Sequence, residues 1–407
     1  MNILFINYGD RLSNSLNHIA AFVTELNRLG HACIIALPSR EPGPAEGTLT
    51  YDEVVARPAC FPNGRTADII HAWTPREPVR RCLLAYQRTV FRPARVIIHL
   101  EDNERHILST FTGLTFDELV SMPDETLGGL SIEVLSHPRR HQRLLQAADA
   151  VTCITPRLIE FVPSGIPATI LPPGLDAWVR DPLPPDAALR AQLGLLPHEQ
   201  VIVYPGSANH ANVEEILTLY AAVALLNHEG IPTRLIRTGP NPPWFNERLS
   251  PEERRHVIEL GFVDRARLPA LFALASVLVQ PGVPGAFNDY RLPSKLPEFL
   301  ASGRPVILPD TNIAADMQDG REAVFLRTGS AAEIAARCRE IFSNPDHAAR
   351  LGNAGRAFAL QHFDLATNTR TLVGVYEAAL RAKPAVNWRR LWIPWWDENN
   401  LTRRPIK

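Results

Sequence analysis

The sequence predicts an α/β protein built from two open parallel sheets, and three observations carry this prediction. Short apolar runs alternate with longer amphipathic stretches along most of the chain, which is the pattern of strands and crossover helices in parallel sheets. At 407 residues the chain is long enough for two or three domains, each with its own core. A proline-rich stretch, residues 181–186, separates two sets of elements and is predicted to be the linker.

In the first half, five apolar runs of strand length are separated by polar loops and two helical segments. The runs are rich in Ile, Val and Leu, as buried parallel strands are. The amphipathic pattern of residues 16–29 ends at Gly30, which is typical of a helix C-terminus. The predicted strands are residues 3–6, 33–37, 68–73, 95–100 and 150–154, and the predicted helices are residues 16–29 and 137–149.

A glycine and several polar residues follow three of these strands. Ligands of open parallel sheets bind beyond the carboxyl ends of the strands, so we expect Gly9, His71 and the segment from His99 to Asp102 to line one cleft. Gly9 would let backbone amides approach a phosphate, or serves only as a turn glycine. His71 either contacts the ligand or merely ends a strand. His99, Glu101 and Asp102 either hold a ligand hydroxyl or form a solvated loop.

The second half repeats the alternation of strands and helices. Its first strand leads into a Pro-Gly loop at residues 205–209, and Gly239 follows a later strand where a ligand should pass. The predicted strands are residues 201–204, 234–237, 257–263 and 275–280, with another apolar run from residue 306. The predicted helices are residues 213–226, one from residue 268, and a short one with Ser294 as its N-cap.

Residues 288–298 carry the most informative pattern, Asn-Asp-Tyr-Arg-Leu-Pro-Ser-Lys-Leu-Pro-Glu. They follow a buried strand and open the short helix, so Arg291 and Lys295 are expected near a helix N-terminus, where anions bind. Glu298 follows about one turn later, where its carboxylate can accept hydrogen bonds from hydroxyl groups attached to that anion. The constellation suits the diphosphate and ribose of a sugar nucleotide. The alternative is an ordinary capped helix between two strands.

This segment resembles the donor-site signature of glycosyltransferases with the GT-B fold, of the GT4 (group 1) type. The signature has two glutamates separated by seven residues, followed by an Ala-x-Gly-x-Pro-Val ending. Residues 301–306 match the ending and Glu298 matches the second glutamate. Tyr290 stands at the first glutamate position, which contacts the transferred sugar in the family, and Asp289 beside it could substitute. Shorter fragments recur in family order over nearly the whole chain, at residues 29–31, 68–71, 148–151, 174–176 and 261–263.

The resemblance implies a GT-B architecture, in which two Rossmann-like parallel-sheet domains face each other across a cleft. Residues 1–180 would form the acceptor domain, residues 187–375 the nucleotide-sugar donor domain, and residues 376–407 a tail that packs back on the first domain. It further implies a retaining enzyme of the hexosyltransferase type that moves a sugar from a nucleoside diphosphate to a saccharide, lipid-linked or other small acceptor. In such enzymes the leaving diphosphate itself is thought to act as the base.

The resemblance also assigns site residues. In the family an Arg and a Lys follow the first strand of the second domain, but loop 206–212 of this chain contains neither. Stabilisation of the leaving group then falls to Arg291, Lys295 and donors of that loop. The predicted catalytic residues are His99, Asp102, Arg291 and Lys295, and the predicted donor-binding residues are Gly9, Gly206, Ser207, Asn209, Gly239, Phe262, Val263, Asp289, Tyr290, Ser294 and Glu298.

Composition and missing motifs argue against several rival classes. The formal net charge of -1 gives no reason to expect nucleic acid as a partner. No Gly-x-Gly-x-x-Gly follows either opening strand and no Walker A sequence occurs, so neither a dinucleotide cofactor nor an NTPase is expected. No Asp-x-Asp pair occurs either, so no metal ion is expected at the diphosphate. The five cysteines include no Cys-x-x-Cys pair, which argues against a zinc site or a disulfide framework.

The two ends of the sequence bear on location. The first residues lack the basic region and long apolar run of a signal peptide, and no stretch approaches the roughly 20 apolar residues of a membrane span. A cytoplasmic location is therefore expected. Residues 388–396 hold four of the seven tryptophans together with two arginines. This segment either packs on the first domain or makes peripheral contact with the inner face of a membrane.

Two other functions stay open on this evidence. Tyr290 and the uncharged loop 206–212 are features of a non-catalytic GT-B homologue that acts as a binding or partner subunit. A nucleotide-sugar epimerase shares the fold but needs an acid/base pair in the cleft.

Overall fold

The computed structural model describes residues 1–10, 13–39, 47–175, 181–386 and 388. These residues form two compact units, one from Met1–Gly174 together with the chain from Leu365 onward, and one from Leu175–Asp364. Each unit contains one sheet whose paired strands are all parallel. The predicted class, two parallel-sheet α/β units, is confirmed.

The first sheet has seven strands in the order β3-β2-β1-β4-β5-β6-β7. Its strands are β1 Asn2–Asn7, β2 Ala32–Leu37, β3 Thr48–Thr50, β4 Ile69–Trp73, β5 Arg95–Leu100, β6 Ala150–Cys153 and β7 Ala168–Ile170. The helices of this part of the chain are α1 Asn14–Arg28, α2 Tyr51–Ala56, α3 Glu77–Thr89, α4 Glu104–Thr112, α5 Phe116–Ser121, α6 Asp124–Gly128 and α7 Arg140–Ala147. β1 and β4 are buried along their whole length, because helices cover both faces of a parallel sheet.

The second sheet has six strands in the order β10-β9-β8-β11-β12-β13. Its strands are β8 Gln200–Pro205, β9 Thr233–Thr238, β10 Val257–Glu259, β11 Val277–Val279, β12 Val306–Pro309 and β13 Val324–Leu326. Its helices are α8 Ala187–Gln192, α9 Val213–His228, α10 Pro251–Arg255, α11 Leu268–Leu274, α12 Leu296–Ala301, α13 Ala331–Phe342 and α14 Pro345–His362. Both sheets therefore share the strand order 3-2-1-4-5-6 at their centre, with a switch point between the first and fourth strands.

The last helix, α15 Leu365–Arg381, belongs to the first unit. Its residues Leu372 and Tyr376 are fully buried in a core cluster with Phe5, Phe22 and Trp73. Residues 365–375, which the sequence analysis assigned to the second domain, therefore lie in the first unit. The helix packs there because its apolar stripe completes the core beneath the first sheet.

The linker is exposed, and the segment just beyond α15 contacts the first unit. Residues 181–186 are exposed, and Asp186 caps α8 by accepting hydrogen bonds from the amides of Ala188 and Leu189. Beyond α15, the amide of Ala385 donates to Asp149 at 2.9 Å, and Trp388 is buried. The rest of the predicted tryptophan-rich tail lies outside the described residues. Within the described part of the chain, no helix has the length and apolar character needed to cross a bilayer.

Candidate functional site

Two glycines shape the carboxyl edge of the second sheet. Gly206 follows β8 and Gly239 follows β9, and both have positive φ angles, 137° and 91°. A Cβ atom on Gly239 would lie 2.5 Å from the carbonyl carbon of Gly206 and 2.6 Å from the amide nitrogen of Ser207. Only glycine fits such a contact. The two loops are thus held together by backbone packing, and the amide of Gly206 donates to the carbonyl of Thr238 at 3.1 Å.

Lys295 lies at the switch point of this sheet. Its Nζ atom is 3.4 Å from Tyr204 Oη at the end of β8 and 3.5 Å from Gln280 Oε1 just beyond β11. The ammonium group lies 4.6 Å from the centre of the Tyr204 ring, and a Cβ on Gly206 would come within 3.4 Å of it. Among the described residues no carboxylate forms an ion pair with Lys295. A half-buried cation with only neutral hydrogen-bond partners is suited to binding an anionic ligand.

Arg291, the second predicted cation, is engaged within the protein. Its guanidinium forms an ion pair with Glu215 at 3.1 Å, donates from Nε to Asn288 Oδ1 at 3.0 Å, and lies 3.6 Å from the centre of the Phe287 ring. Burial raises the pKa of Glu215, although the charges of Arg291 and Lys295 oppose the increase. Glu215 thus compensates the charge of Arg291, which leaves Lys295 as the cation better placed for a ligand.

Glu298 is the third residue of α12 and is buried, with 7% of its surface exposed. Its carboxylate forms an ion pair with Arg265, which the sequence analysis did not select. Arg265 opens a short 3-10 helix capped by Asp264, in the loop that begins with the predicted residues Phe262 and Val263. Phe262 is 82% exposed, so an aromatic face is available on the loop that carries the partner of Glu298.

The remaining predicted donor-site residues mainly shape loops. Asp289 accepts hydrogen bonds from the Gly285 amide at 2.8 Å and from the Thr311 hydroxyl at 2.5 Å, while its neighbour Tyr290 is half-buried. Asn209 Oδ1 accepts from the Ala211 amide at 2.9 Å, which makes its side chain part of the turn after β8.

Ser294 is not the N-cap of α12 as predicted. Lys295 occupies that position without a side-chain cap, because the amide of Leu296 already bonds to the carbonyl of Pro293 at 2.9 Å. The helix has only six residues, so its dipole contributes less to anion binding than the sequence analysis assumed.

At the switch point of the first sheet, the carboxyl ends of β1, β4 and β5 carry buried polar groups. The His99 and Trp73 rings lie 4.0 Å apart between centroids, and the amide of Thr74 donates to the carbonyl of His99 at 3.0 Å. Thr74 has φ 75°, a strained conformation for a β-branched residue that is often found at functional sites. Four buried atoms here have no hydrogen-bond partner among the described residues: Asn7 Oδ1, Trp73 Nε1, Thr74 Oγ1 and His99 Nε2.

Charges around this edge are compensated within the first unit. Glu101 accepts a hydrogen bond from Ser15 and lies 3.3 Å from His18 Nδ1. Burial alone would raise the pKa of Glu101, but the hydrogen bond and charge of His18, with His99 and Ser15, lower it to about 2. Burial lowers the pKa of His99 to about 4, against the opposing charge of Glu101. Asp102 is only partly buried, and its carbonyl accepts from the amide of Glu104.

A second compensated pair adjoins Glu101. Arg76 is buried, pairs with Glu104 at 3.1 Å, and lies 4.1 Å from the centre of the Tyr8 ring. This group was not predicted from the sequence, where the polar residues just beyond β1 and β4 are its only signal. Among the described residues, this pair leaves no uncompensated positive charge, so the described part of this edge is suited to hydroxyl groups more than to a phosphate.

His71 is held inside the first unit, and packing restricts the position of Gly9. Both ring nitrogens of His71 have partners, Tyr376 Oη at 2.8 Å and Thr152 Oγ1 at 3.2 Å, and the side chain is fully buried. The expectation that His71 lines the ligand site is therefore wrong. A Cβ on Gly9 would lie 2.6 Å from Ser13 Cβ, so its lack of a side chain is explained by packing. Residues 11–12, which follow it, lie outside the described residues.

Part of the chain matches a known protein family. Residues 199–344 match the model of the family described as Glycosyl transferases group 1. Over 221 residues the chain is 25% identical to D-inositol 3-phosphate glycosyltransferase of Nocardia farcinica, an alignment that covers 52% of this chain and 47% of that protein. The chain thus matches about half the length of this curated relative.

Solved structures resemble almost the whole chain. HepE from Anabaena, in complex with UDP and glucose, has a TM-score of 0.68 at 15% identity, with 93% of this chain and 99% of that chain covered. Sucrose-phosphate synthase from Thermosynechococcus elongatus has a TM-score of 0.65 at 15% identity, with 94% and 100% covered. At such identities the likeness establishes the GT-B fold. The match to the group 1 glycosyltransferase family thus covers residues 199–344 of the second unit, and the structural likeness extends over nearly the whole chain.

Proposed function

We propose that this protein transfers a hexose-type sugar from a nucleoside diphosphate sugar to a small acceptor, with retention of anomeric configuration and without a metal ion. The observation that carries the proposal is the site at the second switch point. There the Nζ atom of Lys295, which has no carboxylate partner among the described residues, lies beside the backbone loop of Gly206 and Ser207.

The chemistry of the leaving group explains why a lysine is needed there. A donor diphosphate carries about two negative charges, and more charge develops on it as the glycosidic bond breaks. An ammonium group at that position stabilises the transition state more than the ground state. The departing diphosphate then accepts the proton of the acceptor hydroxyl, so no protein nucleophile is required.

The nucleoside half of the donor is assigned to the Glu298 region. We assign the ribose hydroxyls to the Glu298 carboxylate and the base to the exposed ring of Phe262, since charged hydrogen bonds and aromatic stacking suit these groups. The HepE structures, which contain UDP and UDP-glucose, support a nucleoside diphosphate as the ligand class.

The acceptor is assigned to the first unit. Its carboxyl edge offers unpartnered buried polar atoms on Trp73, Thr74 and His99 but compensated charges, which favours a hydroxyl-bearing saccharide, lipid-linked or other small acceptor. A cytoplasmic location, with peripheral membrane contact through the tryptophan-rich tail, is part of the same proposal.

A panel of nucleotide sugars with product analysis tests the proposal. Transfer or slow hydrolysis of one donor is expected, and NMR of the product should show the anomeric configuration of the donor. Binding without turnover would instead indicate a non-catalytic homologue, which the Arg291–Glu215 ion pair and Tyr290 favour. An epimeric nucleotide sugar as product would indicate an epimerase.

The metal-free mechanism has its own test. We propose that protein groups, chiefly Lys295, compensate the charge of the diphosphate. Turnover should therefore survive EDTA. If EDTA abolishes turnover and added magnesium restores it, the mechanism needs a metal ion and Asp289 becomes a candidate ligand.

A further inference from the structure

A buried chain of hydrogen bonds links the last helix to His99. Tyr376 Oη on α15 lies 2.8 Å from His71 Nδ1, and His71 Nε2 lies 3.2 Å from Thr152 Oγ1. The same Thr152 hydroxyl lies 2.8 Å from His99 Nδ1. All four side chains are at most 1% exposed, so bulk solvent does not reach them.

Tyr376 sets the direction of donation along this series of hydrogen bonds. Tyr376 is a hydroxyl with one hydrogen, and within the described residues its hydrogen-bond partner is His71 Nδ1 alone. A buried hydroxyl hydrogen without an acceptor destabilises the folded protein, so Tyr376 donates and His71 Nδ1 accepts.

The remaining proton positions follow from the inventory of donors and acceptors. Burial lowers the pKa of His71 well below its ordinary value, so the ring is neutral and carries its one hydrogen on Nε2. That group donates to Thr152, whose single hydrogen then points to His99 Nδ1. Burial also lowers the pKa of His99, to about 4, so its own hydrogen is on Nε2.

We infer that Tyr376, His71 and Thr152 are positioning residues that hold His99 as its Nε2–H tautomer, so that His99 offers a hydrogen-bond donor and not a base. The expected ligand group is an uncharged sugar oxygen, a part of the inference that rests on the proposed function. His99 Nε2 and the neighbouring Trp73 Nε1 are both buried without a partner among the described residues, and both are then N–H donors. The Trp73 ring, 4.0 Å away, fixes the plane of the imidazole.

Nitrogen-15 NMR of the histidine side chains tests the tautomer without any substrate. The His99 signal is assigned by its loss in His99→Gln. We expect a protonated, pyrrole-type Nε2 and an unprotonated, pyridine-type Nδ1 in the wild-type protein at neutral pH. A wild-type His99 with its hydrogen on Nδ1 would overturn the inference, whatever the activity of the enzyme.

Variants test the direction of hydrogen-bond donation from Tyr376 through His71 and Thr152 to His99. Tyr376→Phe removes the terminal donor, so the Nδ1–H form of His99 should appear, and Thr152→Val should produce the same change by a separate route. Thr152→Ser keeps the hydroxyl and should keep the wild-type tautomer. Tyr86→Phe is the matched control, since the Tyr86 hydroxyl is a partner of the Ala67 amide and the Pro58 carbonyl in the same unit. An unchanged His99 tautomer in both Tyr376→Phe and Thr152→Val would contradict the inference.

Kinetics then connect the tautomer to the substrate. With a donor and acceptor identified, Thr152→Val should lower kcat/KM about three- to tenfold, the value of one hydrogen bond, and Thr152→Ser should restore it. A changed tautomer with unchanged kcat/KM would overturn the contact between His99 and the substrate. It would leave intact the inference that Tyr376, His71 and Thr152 set the tautomer. Absence of turnover in the wild-type protein would instead count against the proposed function.

Discussion

At the switch point of the first sheet, buried acidic side chains are paired with basic ones, whereas at the switch point of the second sheet a lysine lies between neutral partners beside glycine-lined loops. The two sheets have the same central strand order. Glu101 and Arg76 are compensated by His18 and Glu104 in the first unit. In the second unit Lys295 has Tyr204 and Gln280 as neighbours.

This difference teaches how one fold can recognise two chemically different ligands. The strand order determines where a ligand can bind, while the unpaired charges determine which ligand it is. Unpaired buried N–H and O–H groups favour uncharged hydroxyls, and a half-buried cation favours a phosphate. The predictions below test this division, beginning with the largest expected effect.

Removing the ammonium group of Lys295 should impair catalysis at the second switch point. We expect Lys295→Ala to reduce kcat by about two to three decades, with a smaller loss of donor affinity, because the charge on the diphosphate grows in the transition state. Steady-state kinetics with the identified donor measures both. Lys383→Ala removes an exposed lysine of the first unit and should leave kcat unchanged. An equal loss in both variants, or none in Lys295→Ala, would contradict the assignment.

The close approach of the two loops can be tested by a pair of glycine variants. Gly239 and Gly30 both have positive φ, 91° and 82°, but only a Cβ on Gly239 would meet another backbone segment, whereas one on Gly30 would meet nothing within 4 Å. Gly30→Ala should lower the free energy of unfolding by about 1–2 kcal/mol. Gly239→Ala should lower it by about 2–5 kcal/mol, since overpacking adds to the strain, and should weaken nucleotide binding. Denaturant unfolding measures the free energy of unfolding of both variants. Equal losses in Gly239→Ala and Gly30→Ala would contradict the close backbone contact at Gly239.

Acid should destabilise the first unit through His99. Its pKa is about 4 in the folded protein and about 6.5 in an unfolded chain, so between these values the unfolded state binds more protons. The contribution of His99 to the free energy of unfolding is fully present above about pH 6.5. It is lost as the pH falls toward 4, and the loss is about 3 kcal/mol at most. Unfolding free energies at pH 7, 5.5 and 4 should show a smaller decline in His99→Gln. His198→Gln, which changes an exposed histidine, should decline like the wild-type protein.

The smallest predicted effect concerns the ribose. Glu298→Ala should weaken nucleoside diphosphate binding by about one to two decades, the value of charged hydrogen bonds of roughly 1.5–3 kcal/mol. Isothermal titration calorimetry measures this directly. Glu252→Ala removes a carboxylate that pairs with Arg255 on the surface of the same unit and should bind like the wild-type protein. Unchanged affinity in Glu298→Ala would contradict the assignment of the ribose hydroxyls to Glu298.

Local patterns predicted the fold well, but long-range contacts were outside their reach. The strand predicted at residues 95–100 agrees with β5, whereas the one predicted at 257–263 ends at Glu259, because Gly261 turns the chain with φ 62°. The apolar runs predicted the strands because burial and periodicity are local properties. Only loop residues next to such runs, such as Lys295, could be placed from the sequence.

Side-chain partners distant in the sequence account for most of the misses. His71 resembled a ligand contact until its partner Tyr376, 305 residues away, was known. Arg291 likewise resembled a free cation, but its partner Glu215 lies 76 residues upstream. No local pattern contains this information, because the pairing depends on how helices return to the sheet.

A crystal structure with a nucleoside diphosphate, chosen by calorimetry from a panel of bases in the presence of EDTA, tests the central claim most directly. The account predicts that the diphosphate lies within hydrogen-bond distance of Lys295 Nζ and the Gly206–Ser207 loop, with the ribose at Glu298 and the first sheet's carboxyl edge left for the acceptor. A diphosphate bound instead beside His99 and Arg76, or held away from Lys295 by Arg291 alone, would contradict it.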